Sequence, residues 1–502
     1  MQGIKTFEPK LFPAFNLVDA IPKDNFYRRL KSVLDLRFLY KSTEKYYGSS
    51  GRKSIDPVVF FKLCLVGYLE NTPSDRRLMD LCQVRLDIRY FIDHDIDEPL
   101  PWHSTISRTR QLLPSPLFDQ VFDQVLGMCV DQGMVAGTTQ AIDAAYVKAN
   151  ASMDSLELKV PETSLQVFSE KVRSINTLDN PSAEPITATK KELQEVKKRQ
   201  ENWTEHQPHR LPSKHKEASF TSNKTHYSPT DKDARISVKP GKPRALNYLA
   251  QLGVDTAQHV ITHVHADYAD KKDSLCLPAI MDRLQPRLAS LNVPMENVLA
   301  DAGYSSGENY ALLEQRGLTA FIPPHGTYKG CPDGFTYIAD QDYYLCPQGE
   351  RARGQRVFMQ DNSLRKTYAT KRTDCKNCPI KSQCIGKSFE KRFTVTFYRS
   401  HYERVIQRLK TPEGRRMKGK RQGTVEPVLG TLLNFMGIRK VFTIGIAQAH
   451  KQMVLSAVAY NLKKYLKYQF RPTSRVHEDK KSLALFILAF ISPSAIGKMT
   501  FT

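Results

Sequence analysis

Three carboxylates carry the most chemical consequence in this chain, because each sits where an acid is expensive to keep. Asp143 lies in AIDAAYV, an apolar strand in which a buried acid is costly unless a partner or a metal neutralises it. Asp301 lies in VLADAGYSSGEN, at the end of a short apolar strand where the chain turns through Gly303 toward a helix. Sheets place ligand chemistry at strand ends of this kind. Glu426 lies in GTVEPVLGTLLNFMG, where the first turn of a helix is expected because Pro427 fits there without losing a needed N–H. Gly430, four residues on and on the same face, is expected to let another backbone or a substrate come close. Taken singly, each acid has a plainer reading, as a strand-end cap or an exposed helix residue near a dipole. Together they suit Mg²⁺, a hard cation that prefers carboxylate oxygen and water. Two such ions about 3.5–4 Å apart can activate a nucleophile on one side of a phosphorus and stabilise the leaving oxygen on the other.

The cysteines form a second constellation. Cys375, Cys378 and Cys384 in DCKNCPIKSQC, with Cys346 in YLCPQGE upstream, offer four thiols, and such a set suits tetrahedral zinc. Cys331 competes for the fourth place, and free thiols in a basic insertion are the plainer alternative. Cys64, Cys82, Cys129 and Cys276 read as core packing. His263 and His265 alternate on one strand face with no third ligand in view, which favours packing. No GxxxxGK[ST] loop occurs, which argues against an ATP-driven helper protein.

Charge narrows the partner. With 74 Lys+Arg against 52 Asp+Glu the net charge is +22 over 502 residues, which points to a polyanion. The N-terminus lacks an apolar export region, and the run Leu483 to Ile491 is about half the roughly 20 residues a membrane helix needs, so a cytoplasmic protein without membrane contact is expected. Nine cysteines in a reducing compartment argue against a disulfide framework.

The elements that must position these residues are of two kinds. Residues 1–130 show helical spacing, and LPWHSTISRTRQLL follows a Pro-rich turn with Arg108 and Arg110 on a short helix. A helix-turn-helix reading DNA is one account of this stretch, and an ordinary bundle with solvated arginines is the other. Residues 131–151 supply a strand, 152–230 a polar insertion or arm containing Trp203, and 231–325 the order β, β, α, β, α, β. The fold class is therefore α/β, a mixed sheet with helices on its faces. A basic Cys-rich insertion covers 326–400, helices return over 401–470, and 471–502 form a tail.

AIDAAYVKANAS, NVLADAGYSS and RQGTVEPVLGTLLNFMGIRK resemble the three acidic motifs of bacterial insertion-sequence transposases of the DDE type, and SIDPVVFFKLCLVGYL through LPWHSTISRTRQLL is similar to their helical N-terminal domain. The resemblance runs from about Asp56 to Tyr468, in the expected order. It implies an RNase H-like core with Asp143, Asp301 and Glu426 holding Mg²⁺ or Mn²⁺. It further implies cleavage at the element's terminal inverted repeats, joining to target DNA, and a homodimer pairing two ends. A DNA-binding regulator without catalysis is the alternative. One departure stands out: relatives place Tyr and Arg before the glutamate and Lys seven residues after it, whereas Gly419, Gln422 and Leu433 occupy those positions here. Lys420, Arg421 and Arg439 are the substitutes expected to contact phosphates. Glu403 in YRSHYERVI is the rival third acid.

Overall fold

A computed structural model of the chain describes residues 16–48, 54–161, 187–195, 198, 221–238, 243–326, 328, 330–360 and 363–469. Trp203 and the apolar run at 483–491 lie outside them.

The N-terminal part is helical: α1 (Phe26–Val33), α2 (Pro57–Leu69), α3 (Asp75–Val84), α4 (Leu86–Phe91), α5 (His103–Leu112) and α6 (Ser115–Asp131). Helix α2 is apolar on every side, and nearly all of it is buried, which marks it as a central helix. It begins where Asp56 accepts the N–H groups of Val58 and Val59 at 2.7 and 3.2 Å, with Pro57 at its first position. Between α4 and α5 the connection spans residues 92–102, much longer than the tight turn of a helix-turn-helix.

The central sheet contains β1 (Thr139–Lys148), β2 (Arg235–Ser237), β3 (Ala245–Asp255), β4 (Ile261–Tyr268), β5 (Asn297–Leu299) and β6 (Thr319–Phe321). Its order is β6-β5-β1-β3, with β4 and the short β2 both along the outer edge of β3. Strands β1, β3 and β4 are antiparallel, and β5 and β6 run parallel to β1. This is the RNase H-like arrangement that the family resemblance implied. Helices α7 (Asp273–Ser290) and α8 (Gly307–Gln315) connect the later strands.

After β6 the chain forms a second sheet, an antiparallel meander of β7 (Thr336–Ile338), β8 (Tyr343–Leu345), β9 (Arg351–Gln360), β10 (Ser363–Ala369) and β11 (Arg392–Thr396). Phe335, Tyr344, Ala352, Tyr368 and Val395 make its small core. The helices α9 (Arg399–Lys410), α10 (Pro412–Phe435) and α11 (Ile446–Gln469) close the fold.

Helix α11 joins the two main parts. It packs against α6, α2 and β4, and two of its buried polar side chains tie it to the sheet side: Asn461 accepts the Ile261 N–H at 2.9 Å and donates to the Ile261 carbonyl, while Ser456 donates to the Met436 carbonyl. Leu63, Phe118, Leu252, Val298, Leu432 and Val458 belong to one continuous core. The helical region therefore shares its interior with the sheet, so removing everything before Val130 would strip one side of that core.

Two local expectations about Glu426 need correction. The residue is not in a first turn; it lies deep inside α10, which runs unbroken from Pro412 through Pro427 to Phe435. The cost of a mid-helix proline is reduced because the carbonyl it cannot bond, that of Gly423, is on an exposed turn open to water. Gly430 marks no close approach either, since an added Cβ there would meet nothing within 4 Å.

Candidate active site

Register places the first two acids together. In the parallel pair β1–β5, Thr139 lies beside Asn297, Gln140 beside Val298 and Ala141 beside Leu299. Continued two residues past the ladder, this register sets Asp301 alongside Asp143, and side chains in register on parallel strands share a face. Asp143 is largely buried, and that burial raises its carboxyl above the ordinary range; the Ala144 N–H and Arg421 act in the opposite direction, and Asp301 adds to the rise. The Asp301 carboxylate accepts the Gly303 N–H at 2.9 Å, starting a short 3-10 turn. Tyr304 in that turn is buried and donates to Gln251 Oε1 at 2.6 Å, anchoring the turn on β3.

The third acid arrives on α10. Arg421 Nη1 donates to Asp143 Oδ2 at 3.1 Å, and its Nη2 lies 3.8 Å from Glu426 Oε1. One guanidinium thus stands between two of the three acids, with the Glu426 side chain 59% exposed and facing outward. The end of α10 is fixed to the same strand, because the Lys148 N–H donates to the Arg439 carbonyl and the Val441 N–H to the Lys148 carbonyl. Glu403 is elsewhere, held by Arg399 Nε at 2.7 Å beside Gly330. Among the described residues no three His, Cys, Asp or Glu side chains stand close enough to hold an ion as arranged. The donor chemistry nevertheless suits a hard cation, since the three acids offer oxygen ligands from separate elements; Arg421, now on Asp143, would have to turn away to admit it.

The cysteines gather on the second sheet. The Cys384 thiol is raised by burial and, more weakly, by Cys375, Cys346 and Cys378, against the pull of Lys391, but as arranged these thiols do not form a metal-holding group. Cys346 accepts N–H groups from Gln348 at 3.4 Å and Glu350 at 3.3 Å, and Cys375 lies 3.0 Å from Thr370 Oγ1. Cys331 packs on the same small core but is not among the neighbours that shift Cys384.

Two family models match the chain: a transposase domain (DUF772) over residues 15–112 and a transposase DDE domain over residues 345–466. The chain is an insertion-sequence transposase of the DDE type. The second match includes Glu426, Arg421 and the cysteine cluster, while Asp143 and Asp301 lie between the two matched spans. No curated protein matches the chain.

Among the residues of the transposase expected to meet DNA, Arg108 is exposed on α5, and Lys420 and Arg439 are exposed at α10 and just beyond it. Arg110 differs. It is only 8% exposed, and its guanidinium donates to Asp75 at 3.0 and 2.7 Å, so as folded it points into the helical interior and not toward DNA as the spacing suggested. Asp75, the first residue of α3, is the acid it satisfies. His263 and His265 are buried on β4 and face each other at 2.7 Å. Both are pushed down by burial, His265 to about 3, and Arg283 and Arg287 beside them keep the pair neutral. No helix of the described residues is long and apolar enough to cross a membrane.

Two neighbours of the acids were not apparent from the sequence. Arg421 appeared there as a phosphate contact, yet its first partner is Asp143. Asp273, the first residue of α7, comes close to the Asp301 turn: a Cβ on Gly303 would lie 2.9 Å from Asp273 Oδ2 and 3.1 Å from Asp301 Oδ1. This explains why the turn needs glycine at 303, and the signal was available, since Asp273 opens the helix after the third long strand.

Proposed function

We propose that this transposase cuts the ends of its element and joins them to target DNA at a site built from Asp143, Asp301 and Glu426. The observation that carries the reading is the β1–β5 register, which sets two acids side by side beneath a helix carrying the third. In the first step a water oxygen attacks the phosphorus at the element end, the bond to the 3′ oxygen breaks, and that oxygen leaves as a 3′-hydroxyl. In the second step this hydroxyl attacks a target phosphorus and displaces a target 3′ oxygen, so one phosphodiester replaces another. Two Mg²⁺ or Mn²⁺ ions held by the three carboxylates would supply nucleophile activation and charge neutralisation when bound. Arg421 balances Asp143 before DNA arrives, and turned outward its guanidinium suits a phosphate. Arg108, Lys420 and Arg439 contact the terminal repeats and backbone, with two chains pairing two ends.

The direct test incubates the full chain with Mg²⁺ and duplex cut from the DNA flanking its gene. Nicks ending in 3′-hydroxyls and joined products, both abolished by EDTA, are expected. Sequence-selective binding without any nicking would instead establish the non-catalytic regulator.

Cys346, Cys375, Cys378 and Cys384 would hold a structural Zn²⁺, with thiolates near 2.3 Å closing all four positions. Supporting this, Cys346 accepts two backbone N–H groups and packs with Cys384 against an aromatic core too small to hold a meander alone. Elemental analysis should give about one zinc per chain. Cys378→Ser should lose the metal together with the order of β7–β11; a metal-free protein with four modifiable thiols would end the assignment.

A further inference from the structure

The geometry points to the β9–β10 ribbon as a second DNA-reading element, one that enters the major groove of a duplex beside the candidate active site. This rests on the reading of the chain as a DNA transposase and adds a surface to it. Strand β9 outruns its neighbour: β8 covers only Arg351–Arg353, and from Gly354 to Gln360 no described strand pairs with its outer edge. The ladder with β10 shifts register between Gly354 and Val357, an irregularity that increases local twist.

The composition of the ribbon is one-sided. Its two strands, RARGQRVFMQ and SLRKTYA, carry Arg351, Arg353, Arg356, Arg365 and Lys366 and no acid. Lys366 is paired with Asp342, Arg351 lies over the Tyr343 ring and Arg356 over the Phe358 ring, while Arg353 and Arg356 are exposed. Charged residues alone would be explained as protection of an open edge against pairing with other strands. That explanation does not cover Val357 and Met359, which are 47% and 63% exposed on the same strand and share one face. Leaving apolar side chains in water on an unprotected edge invites aggregation, whereas in a groove they can meet thymine methyls, with Arg353 and Arg356, on the other face by strand alternation, left to reach phosphates. A two-stranded ribbon also matches the width of the major groove.

Position completes the case. The Leu364 N–H at the far end of the ribbon donates to Glu308 Oε1 at 3.3 Å, and Glu308 is in the first turn of α8, just after the Asp301 turn. The tip of the ribbon therefore stands beside the helix that follows the Asp301 turn, and a duplex seated on the ribbon comes near that turn.

The test measures binding of the full chain to a fluorescent, thymine-rich duplex in metal-free buffer across a salt series. Arg353→Ala combined with Arg356→Ala should lower the slope of log affinity against log salt by about 2 and weaken binding roughly thirtyfold near physiological salt. Met359→Ala should leave the slope unchanged and abolish the preference of the parent protein for thymine over uracil in the same duplex. Parent-like slope and affinity in the double variant, or a parent indifferent to thymine methyls, would overturn the proposal. If the parent cleaves this DNA with Mg²⁺ while the double variant binds like the parent, the ribbon assignment fails alone. A parent that does not bind DNA at all overturns both readings.

Discussion

Asp143→Asn should retain DNA binding and lose strand cleavage by roughly a thousandfold or more, equivalent to about 4 kcal/mol of transition-state stabilisation. Asparagine keeps the shape and one oxygen but removes the charge that a hard cation requires, and no other carboxylate shares that place in the register. The effect is chemical, because folding should be nearly indifferent. Asp143 is held above the ordinary carboxylate range by burial, so the folded chain binds its proton more tightly than the unfolded chain. The stability that proton gives is present at low pH and is lost as pH rises through the interval from the ordinary carboxylate value to the raised one. Near neutrality the charged form is therefore a burden to the fold, offset by Arg421. Thermal melts of the variant near pH 7 should lie within about 1 kcal/mol of the parent, with a flatter pH dependence on the acid side. For the parent, protons compete with the cation, so cleavage should weaken as pH falls toward the raised value. Cleavage by Asp143→Asn at the parent rate would remove Asp143 from the site, and with it the register argument.

The parts of this site that were legible in the sequence are those set by local pattern. Alternating and continuous apolar runs marked β1, β3 and β4, and the order β, β, β, α, β, α, β defines the sheet that brings Asp143 and Asp301 together. What was not legible depends on distant partners. Arg108 and Arg110 are chemically alike and two residues apart, yet one faces solvent and the other pairs with Asp75, a choice made by how α3 packs on α5. The meander at 326–400 was hidden because its strands are thin and mostly exposed; RARGQRVFMQ buries little but Ala352 and so lacks the apolar alternation of a half-buried strand. Pro427 misled for a physical reason as well. Proline at the first helical position is the usual case, and only the solvated turn around Gly423 lets α10 continue through it.

The largest effect on the fold itself should come from Arg110→Ala, which is expected to cost about 3–5 kcal/mol, while Arg108→Ala stays within roughly 0.5 kcal/mol of the parent. Removing the guanidinium leaves Asp75 without its two donors in a partly buried place. It also opens a gap where α2, α3, α5 and α11 meet, because Cys64 lies against the same guanidinium and Lys451 donates to the Arg110 carbonyl at 2.8 Å. Lys451 makes the change visible in pH. Burial, and secondarily the charge of Arg110, push its ammonium down to about 8. The unfolded chain then binds more protons than the folded one between about 8 and the ordinary lysine value, so parental stability rises with pH across that interval. Without Arg110 the ammonium moves back up and this rise should shrink, a signature that a simple cavity would not give. Arg110→Lys should fall between the two, since one ammonium cannot reproduce the paired contacts with Asp75. DNA binding sorts the alternatives: Arg108→Ala should weaken binding to the terminal repeat with its melt unchanged. If Arg110→Ala melted like the parent and lost sequence preference instead, Arg110 would be a reading residue and its pairing with Asp75 would have to open on DNA.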